Sequence, residues 1–192
     1  MPNWCSNTLS ISGPTNELES FRLKAIGPTQ NYNDFRAGVW EAFEDIRLRA
    51  IISTTPELGE VSDLSFHALY PVPDEVMRFP YDSNQAKKIA DRCGVEFGGR
   101  AGYEWENSNW GVKWGGTDTH THHCDDMLQY EFDTAWAPPL PFLEKVSKDF
   151  PNLEFTLAYS EAGMGFEGRA VFVEGSCVED DCWELEETEI EE

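Results

Sequence analysis

The chain has 192 residues, 36 of them Asp or Glu against 14 Lys or Arg, for a formal net charge of −22 and a sequence pI near 4.3. A negative field of that size opposes direct binding to nucleic acid and to anionic membranes, since both rest on basic groups. Hydrophobic residues make up 40% of the chain, enough for a real core, while no apolar run approaches the roughly 20 residues that span a bilayer.

In chain order, residues 5–13 (CSNTLSISG) alternate polar and apolar with Leu9 and Ile11 on one face, which predicts a half-buried strand closed by Gly13-Pro14. Thr15 or Asn16 can cap a helix that turns Leu18, Phe21 and Leu23 inward and ends at Gly27-Pro28. The loop QNYNDFRAG precedes a second helix, predicted from Val39 to about Ile52 and stopped by Thr55-Pro56 and Gly59. LSFHALYPVP (64–73) predicts a strand ended by two prolines, DEVMRF a single turn, and SNQAKKIADRCG a short helix from a Ser83 or Asn84 cap to Gly94. VEFGGRAGYEWENSNWGVKWGG predicts turns, with its aromatics among glycines as strands and tight turns require. LQYEFDTAW (128–136) alternates cleanly, and PPLPFLEKVSKDF opens a helix at its prolines with Leu140, Leu143 and Val146 on one side. LEFTLAYSE (153–161) and GRAVFVEG (168–175) predict two strands joined by a Gly-rich hairpin.

The resulting order, strand–helix–strand, insertion, strand–helix–strand–strand, is a split βαβ pattern. It predicts an α+β fold with a ferredoxin-like antiparallel sheet, helices on one face, and a helical and Trp-rich insertion at about 74–127. Residues 1–178 are expected as one domain. The tail 179–192 carries nine acids and no base, a charge density that predicts disorder. The opening MPNWCSNTLSISG lacks the basic start and long apolar centre of a secretory signal, so a cytoplasmic setting is expected. The five cysteines, odd in number and without a CxxC pair, are expected as free thiols.

MPNWCSNTLSISG, the LYPVP turn, NSNWGVKWG, FDTAWAPPLPF and FTLAYSEAGMGFEG, in that order, resemble the YubB family, ferredoxin-like proteins carried by phages and conjugative plasmids. The resemblance covers nearly the whole chain, thinning at 28–62 and in the tail. It implies a ferredoxin-like topology and an origin in a mobile element. It implies no iron–sulfur cluster, and it brings no catalytic residues.

Few residues offer chemistry. On a strand, His120, His122 and Cys124 would share one face as soft ligands for Zn²⁺, with Asp125 and Asp126 next to them, although structural zinc sites draw ligands from two separated segments. Met1-Pro2 would leave a secondary amine at the terminus after methionine removal, but no partner residue can be named for it. Tyr103, Trp105, Trp110 and Trp114 could line an aromatic pocket for a nucleotide ring, with Asn109 as a polar group and Lys113 and Arg100 towards phosphate; core and loop packing accounts for the same aromatics. GMGFEG (163–168) leads into a strand, whereas phosphate cradles lead into helices. Glu104, Glu106, Glu161 and Glu167 admit acid/base pairing, which so acidic a chain also produces by chance.

Two functions follow as expectations. One is a non-enzymatic accessory protein that binds a host protein with a basic surface, an anti-defence role in which carboxylates imitate nucleic acid; no cofactor, direct nucleic-acid contact or membrane is implied. The other is a small-ligand or nucleotide-sequestering module built on the Trp-rich insertion.

Overall fold

The computed structural model describes residues 3–33, 40–99, 101–124 and 127–185. β1 (Trp4–Ser12) follows its alternation: Cys5, Asn7, Leu9 and Ile11 are buried while Trp4, Ser6 and Ser12 are exposed. α1 (Thr15–Ala25) buries Leu18, Phe21 and Ala25 at positions i, i+3 and i+7. Leu23, expected inward, falls off that stripe and is 59% exposed.

Between α1 and the next strand of the main sheet lies a long excursion. It contains β2 (Gly27–Pro28) paired antiparallel with β3 (Val61–Ser62), a 3-10 turn at Trp40–Ala42, α2 (Asp45–Ile52), α3 (Phe66–Leu69), α4 (Asp74–Met77), α5 (Ser83–Cys93) and α6 (Gly102–Asn109). Trp40, Leu48 and Ile52 pack on Ile89 and Cys93 of α5 in a small core of their own. The excursion thus occupies residues 26–116, not the expected 74–127.

Two expectations fail inside it, for one reason. Residues 64–73 alternate like a strand, yet Ser65 accepts a hydrogen bond from the Ala68 N–H at 3.0 Å and caps α3. Phe66 and Leu69, three apart, then face the core together. The stretch from Tyr103 to Asn109 is helical as well, which buries Trp105 and Glu106 on one side. In short segments, tertiary contacts decide between the two periods.

The main sheet is completed by β4 (Thr117–Cys124), β5 (Met127–Ala135), β6 (Glu154–Glu161), β7 (Phe166–Val173) and β8 (Ser176–Glu184), with α7 (Leu140–Asp149) between β5 and β6. The strand order is β4-β5-β1-β6-β7-β8, antiparallel throughout. β1–α1–β4 leaves room for β5 between its strands, and β5–α7–β6 leaves room for β1: two interlocked split βαβ units, the ferredoxin-like topology. The polar THTHH segment, which carries no apolar alternation, therefore supplies the second strand of that fold. Residues 179–184, expected to be disordered, belong to β8, an edge strand held along one side by pairing with β7 in spite of its charge.

The core lies between the sheet and the helices. The Phe21 ring meets Tyr130, Phe150 and Phe155 edge-on at 6.2, 5.1 and 5.5 Å, and α7 adds Phe142, Leu143 and Val146. The α3 ring of Phe66 stacks on Phe142 at 3.8 Å, anchoring the excursion to the same core. Among the described residues no helix is long and apolar enough to cross a membrane.

Candidate functional site

With the helices on one side, the other face of the sheet is left uncovered. Strand alternation and register place there Ser6, Thr8 and Ser10 of β1 opposite Ser160, Ala158 and Thr156 of β6. These small side chains form a low floor. Taller residues flank it: Gln129, Glu131 and Asp133 of β5 and His120 and His122 of β4 on one side, Glu167 and Arg169 of β7 and Glu179, Asp181 and Trp183 of β8 on the other. The result is a trough, with a recess of about 430 Å³ between the floor and Trp183. The Trp183 Nε1–H donates to Glu167 Oε1 at 2.5 Å, and Arg169 is ion-paired with Glu179, so the β7–β8 wall is braced. The carboxylates on this face outnumber its basic groups, Arg169 with His120 and His122 on the strands and Lys113 at one end.

At one end of the trough stand two exposed tryptophans, Trp4 and Trp114, their ring centroids 6.4 Å apart. The Lys113 ammonium lies 4.1 Å from the Trp114 centroid, a cation–π contact. Trp114 holds φ at 72° and Trp136, just beyond β5, at 74°. Left-handed backbone costs a residue with a side chain about 1–2 kcal/mol, so something must hold Trp114 there.

That something is Glu106. Its carboxylate, on α6, is fully buried and takes four donors: Gln30 Nε2 at 2.9 Å and the Tyr32 hydroxyl at 2.7 Å on Oε1, the Tyr81 hydroxyl at 2.8 Å and the Trp114 backbone N–H at 2.6 Å on Oε2. Every lone-pair direction of a carboxylate is used. Burial pushes the Glu106 carboxyl above the usual range, and the four donors oppose that push. Burial and the neighbouring carboxylate push both tyrosine hydroxyls upward too, so they stay protonated and donate. Gly102 makes the approach possible: a Cβ there would stand 2.4 Å from the Tyr32 ring and 2.5 Å from the Tyr81 ring. The cluster ties loop, helix and tryptophan together around a fully buried carboxylate whose acceptor directions are all taken.

The residues singled out in the sequence separate into different places. Trp105 and Trp110 are core: Trp110 is fully buried, meets Trp105 at 5.5 Å and donates its Nε1–H to the Tyr70 carbonyl at 3.1 Å. Trp105 also edges a recess of about 420 Å³ with Val76, Phe79, Glu96 and Phe97, none of them among the residues singled out with it. Asn109 accepts from Lys145 Nζ at 2.9 Å, while Tyr103 is 48% exposed at the surface. Lys113 and Trp114 remain together at the trough. Arg100, Asp125, Asp126 and Met1-Pro2 lie outside the described residues, as does the side chain of Cys124. His120 and His122 do point to one side of β4, His122 lying 3.9 Å from Glu131. Among the described residues no group of three or more His, Cys, Asp or Glu is placed to hold a metal ion.

The four flagged glutamates form no acid/base pair, since each is taken by a different donor. Ser83 serves Glu104 and Trp183 serves Glu167. Glu161, 1% exposed, receives the Gly163 and Met164 N–H groups at 3.0 and 2.5 Å and so closes the β6–β7 turn that GMGFEG enters. Next to it, burial and the Glu161 charge push the Cys5 thiol up to about 12, so Cys5 is an inert core residue. Sequence reasoning noticed Glu106 only as one acid among many. The available signal was its position beside Trp105 in an aromatic run, where a charge needs partners.

Fold and site together define a ferredoxin-like α+β sheet protein with an open, acidic sheet face. Consistent with that class, residues 109–192 match the family model described as "Ferredoxin-like domain in Api92-like protein". The chain is also similar to a crystal structure of the protein api92 from Yersinia pseudotuberculosis, with a TM-score of 0.64, 11% identity, and coverage of 95% of this chain and 98% of the other. At that identity the likeness shows the fold alone. Comparison with curated proteins gives no match.

Proposed function

We propose that this chain is a non-catalytic binding protein whose open sheet face receives a cationic segment of another protein. The observation that carries the proposal is the uncovered trough: a floor of Ser6, Thr8, Ala158 and Ser160 between walls bearing Glu131, Asp133, Glu167 and Asp181. A strand-like segment fits such a floor, and basic side chains would meet carboxylates on either wall. The mobile-element origin implied by resemblance makes a host protein the natural partner, and an anti-defence role one consequence. Acids also populate the helix side, with Glu19, Asp45, Glu144 and Asp149 among them, so charge alone does not select one face as a nucleic-acid mimic. The missing cover selects the trough.

Binding of a fluorescent Lys/Arg-rich peptide, measured by anisotropy, tests this. Affinity is expected to fall steeply between low and physiological salt. The reversals Glu131→Lys and Asp181→Lys are expected to weaken binding about tenfold or more, and the helix-side reversal Glu144→Lys to change it less than threefold. Equal losses from all three would show that net charge alone attracts the peptide, and the proposal would fall.

A further inference from the structure

On the helix-bearing side of β4, well away from the trough, two recesses adjoin. The first, of about 390 Å³, lies between α1 and the β4–β5 edge, with Glu19, Arg22, Asp63, Thr121, His123 and Tyr130 on its wall. The second, of about 510 Å³, shares Asp63 and adds Glu60, Asp118 and Thr119, with no basic residue on its wall. Together they make a groove that follows the strand edge.

Tyr130, fully buried on β5, has a hydroxyl without a hydrogen-bond partner. Tyr130 stands on the wall of the first recess beside Glu19, Arg22 and Asp63. The Thr119 hydroxyl, at the second recess, is buried without a partner as well. Buried polar groups in folded proteins are otherwise paired, which makes two orphans along one groove a signal for a missing hydrogen-bonding ligand.

Charge identifies its chemistry. Arg22 pairs bidentately with Glu19, with Nε at 2.7 Å from Oε2 and Nη2 at 2.8 Å from Oε1, so these two charges offset each other. Among the described residues Asp63, at the junction, accepts one hydrogen bond, from the Thr121 hydroxyl at 3.5 Å, and Glu60 and Asp118 add negative charge beyond it. The groove therefore needs positive charge spread over a length, with N–H donors for carboxylates and hydroxyls. A point-like divalent cation is a poor fit, because the described residues offer no three-ligand cluster. We propose that the groove binds an aliphatic polyamine, one ammonium at Asp63 within reach of the Tyr130 hydroxyl and another against Glu60 and Asp118. A lysine side chain of a peptide shares this chemistry and is the other source of the ammonium.

Titration calorimetry and thermal shift of the full chain with spermidine, and in parallel with a tri-lysine peptide, test the site. Saturable binding is expected. Tyr130→Phe removes a hydroxyl that makes no bond in the protein, so it is expected to keep the unliganded melting temperature while weakening binding about tenfold. Asp63→Asn is expected to weaken it tenfold or more, and Glu144→Gln, on α7 and outside both the groove and the trough, to leave it unchanged. If only the peptide shows this variant pattern, the ammonium comes from a lysine side chain; if spermidine shows it, from a free polyamine. Affinities equal in wild type, Tyr130→Phe and Asp63→Asn, or a response reproduced by MgCl₂ at matched ionic strength, would overturn the site.

Discussion

Glu106 holds a carboxylate where water does not reach, and its four donors decide what a substitution does. Glu106→Ala would leave Gln30, Tyr32, Tyr81 and the Trp114 N–H without an acceptor, and a loss of about 3–5 kcal/mol is expected in denaturant unfolding. Glu106→Gln keeps one acceptor oxygen, and the tyrosine hydroxyls can turn to accept from its amide, so about 1–2 kcal/mol is expected. The pH dependence has a definite sign. Because burial raises the folded pKa above the unfolded one, the carboxyl's contribution is complete below the ordinary carboxylate value and is lost as pH rises through the raised one. The stability advantage of wild type over Glu106→Gln is therefore expected to shrink from about pH 4 towards neutrality; a gap that widens would show a depressed carboxyl instead. Gly102→Ala would drive a methyl into the Tyr32 and Tyr81 rings, and about 1–3 kcal/mol of destabilisation is expected, with altered tyrosine near-UV dichroism.

At the scale of elements, α5 shows how end signals set a helix. Asp82 accepts from the Gln85 N–H at 2.9 Å, and Gly94 closes the other end at φ 63°. Asp82→Ala is expected to lower stability by about 1 kcal/mol, read as a lower melting temperature, with the strands unaffected. The sequence placed this cap one or two residues later, at Ser83 or Asn84, and the Ser83 hydroxyl instead serves Glu104. β1, β5, β6, β7, α1, α5 and α7 were legible because one face of each is buried and the pattern records it. β4 was not, since an edge strand with exposed His120 and His122 needs no apolar alternation. β8 was not either: it is exposed along its whole length and held by the β7 backbone with the Arg169–Glu179 and Trp183–Glu167 side-chain pairs. The α3 pattern was compatible with either period, and only Ser65 and the packing of Phe66 on Phe142 decided it.

Over the whole molecule, a net charge of −22 acts on stability and on association in opposite directions. Salt screens the repulsion among carboxylates, so raising NaCl from about 20 to about 300 mM is expected to raise the melting temperature by a few degrees. The same screening is expected to weaken capture of a basic peptide at the trough. A melting temperature that fell with salt would show that ion pairs such as Arg92–Asp45 and Arg169–Glu179 outweigh the repulsion. By itself the sequence determined the class, an antiparallel sheet with helices on one face, because apolar periodicity is a local record of which side is buried. It determined the acidity too, because charge is additive along a chain. The tertiary structure decided which acids matter: Glu106 and Glu161 sealed among donors, Asp63 at a groove with orphan hydroxyls, Glu131 and Asp181 along an open trough. Those distinctions arise from neighbours up to more than a hundred residues apart, and no local pattern encodes which of them will meet.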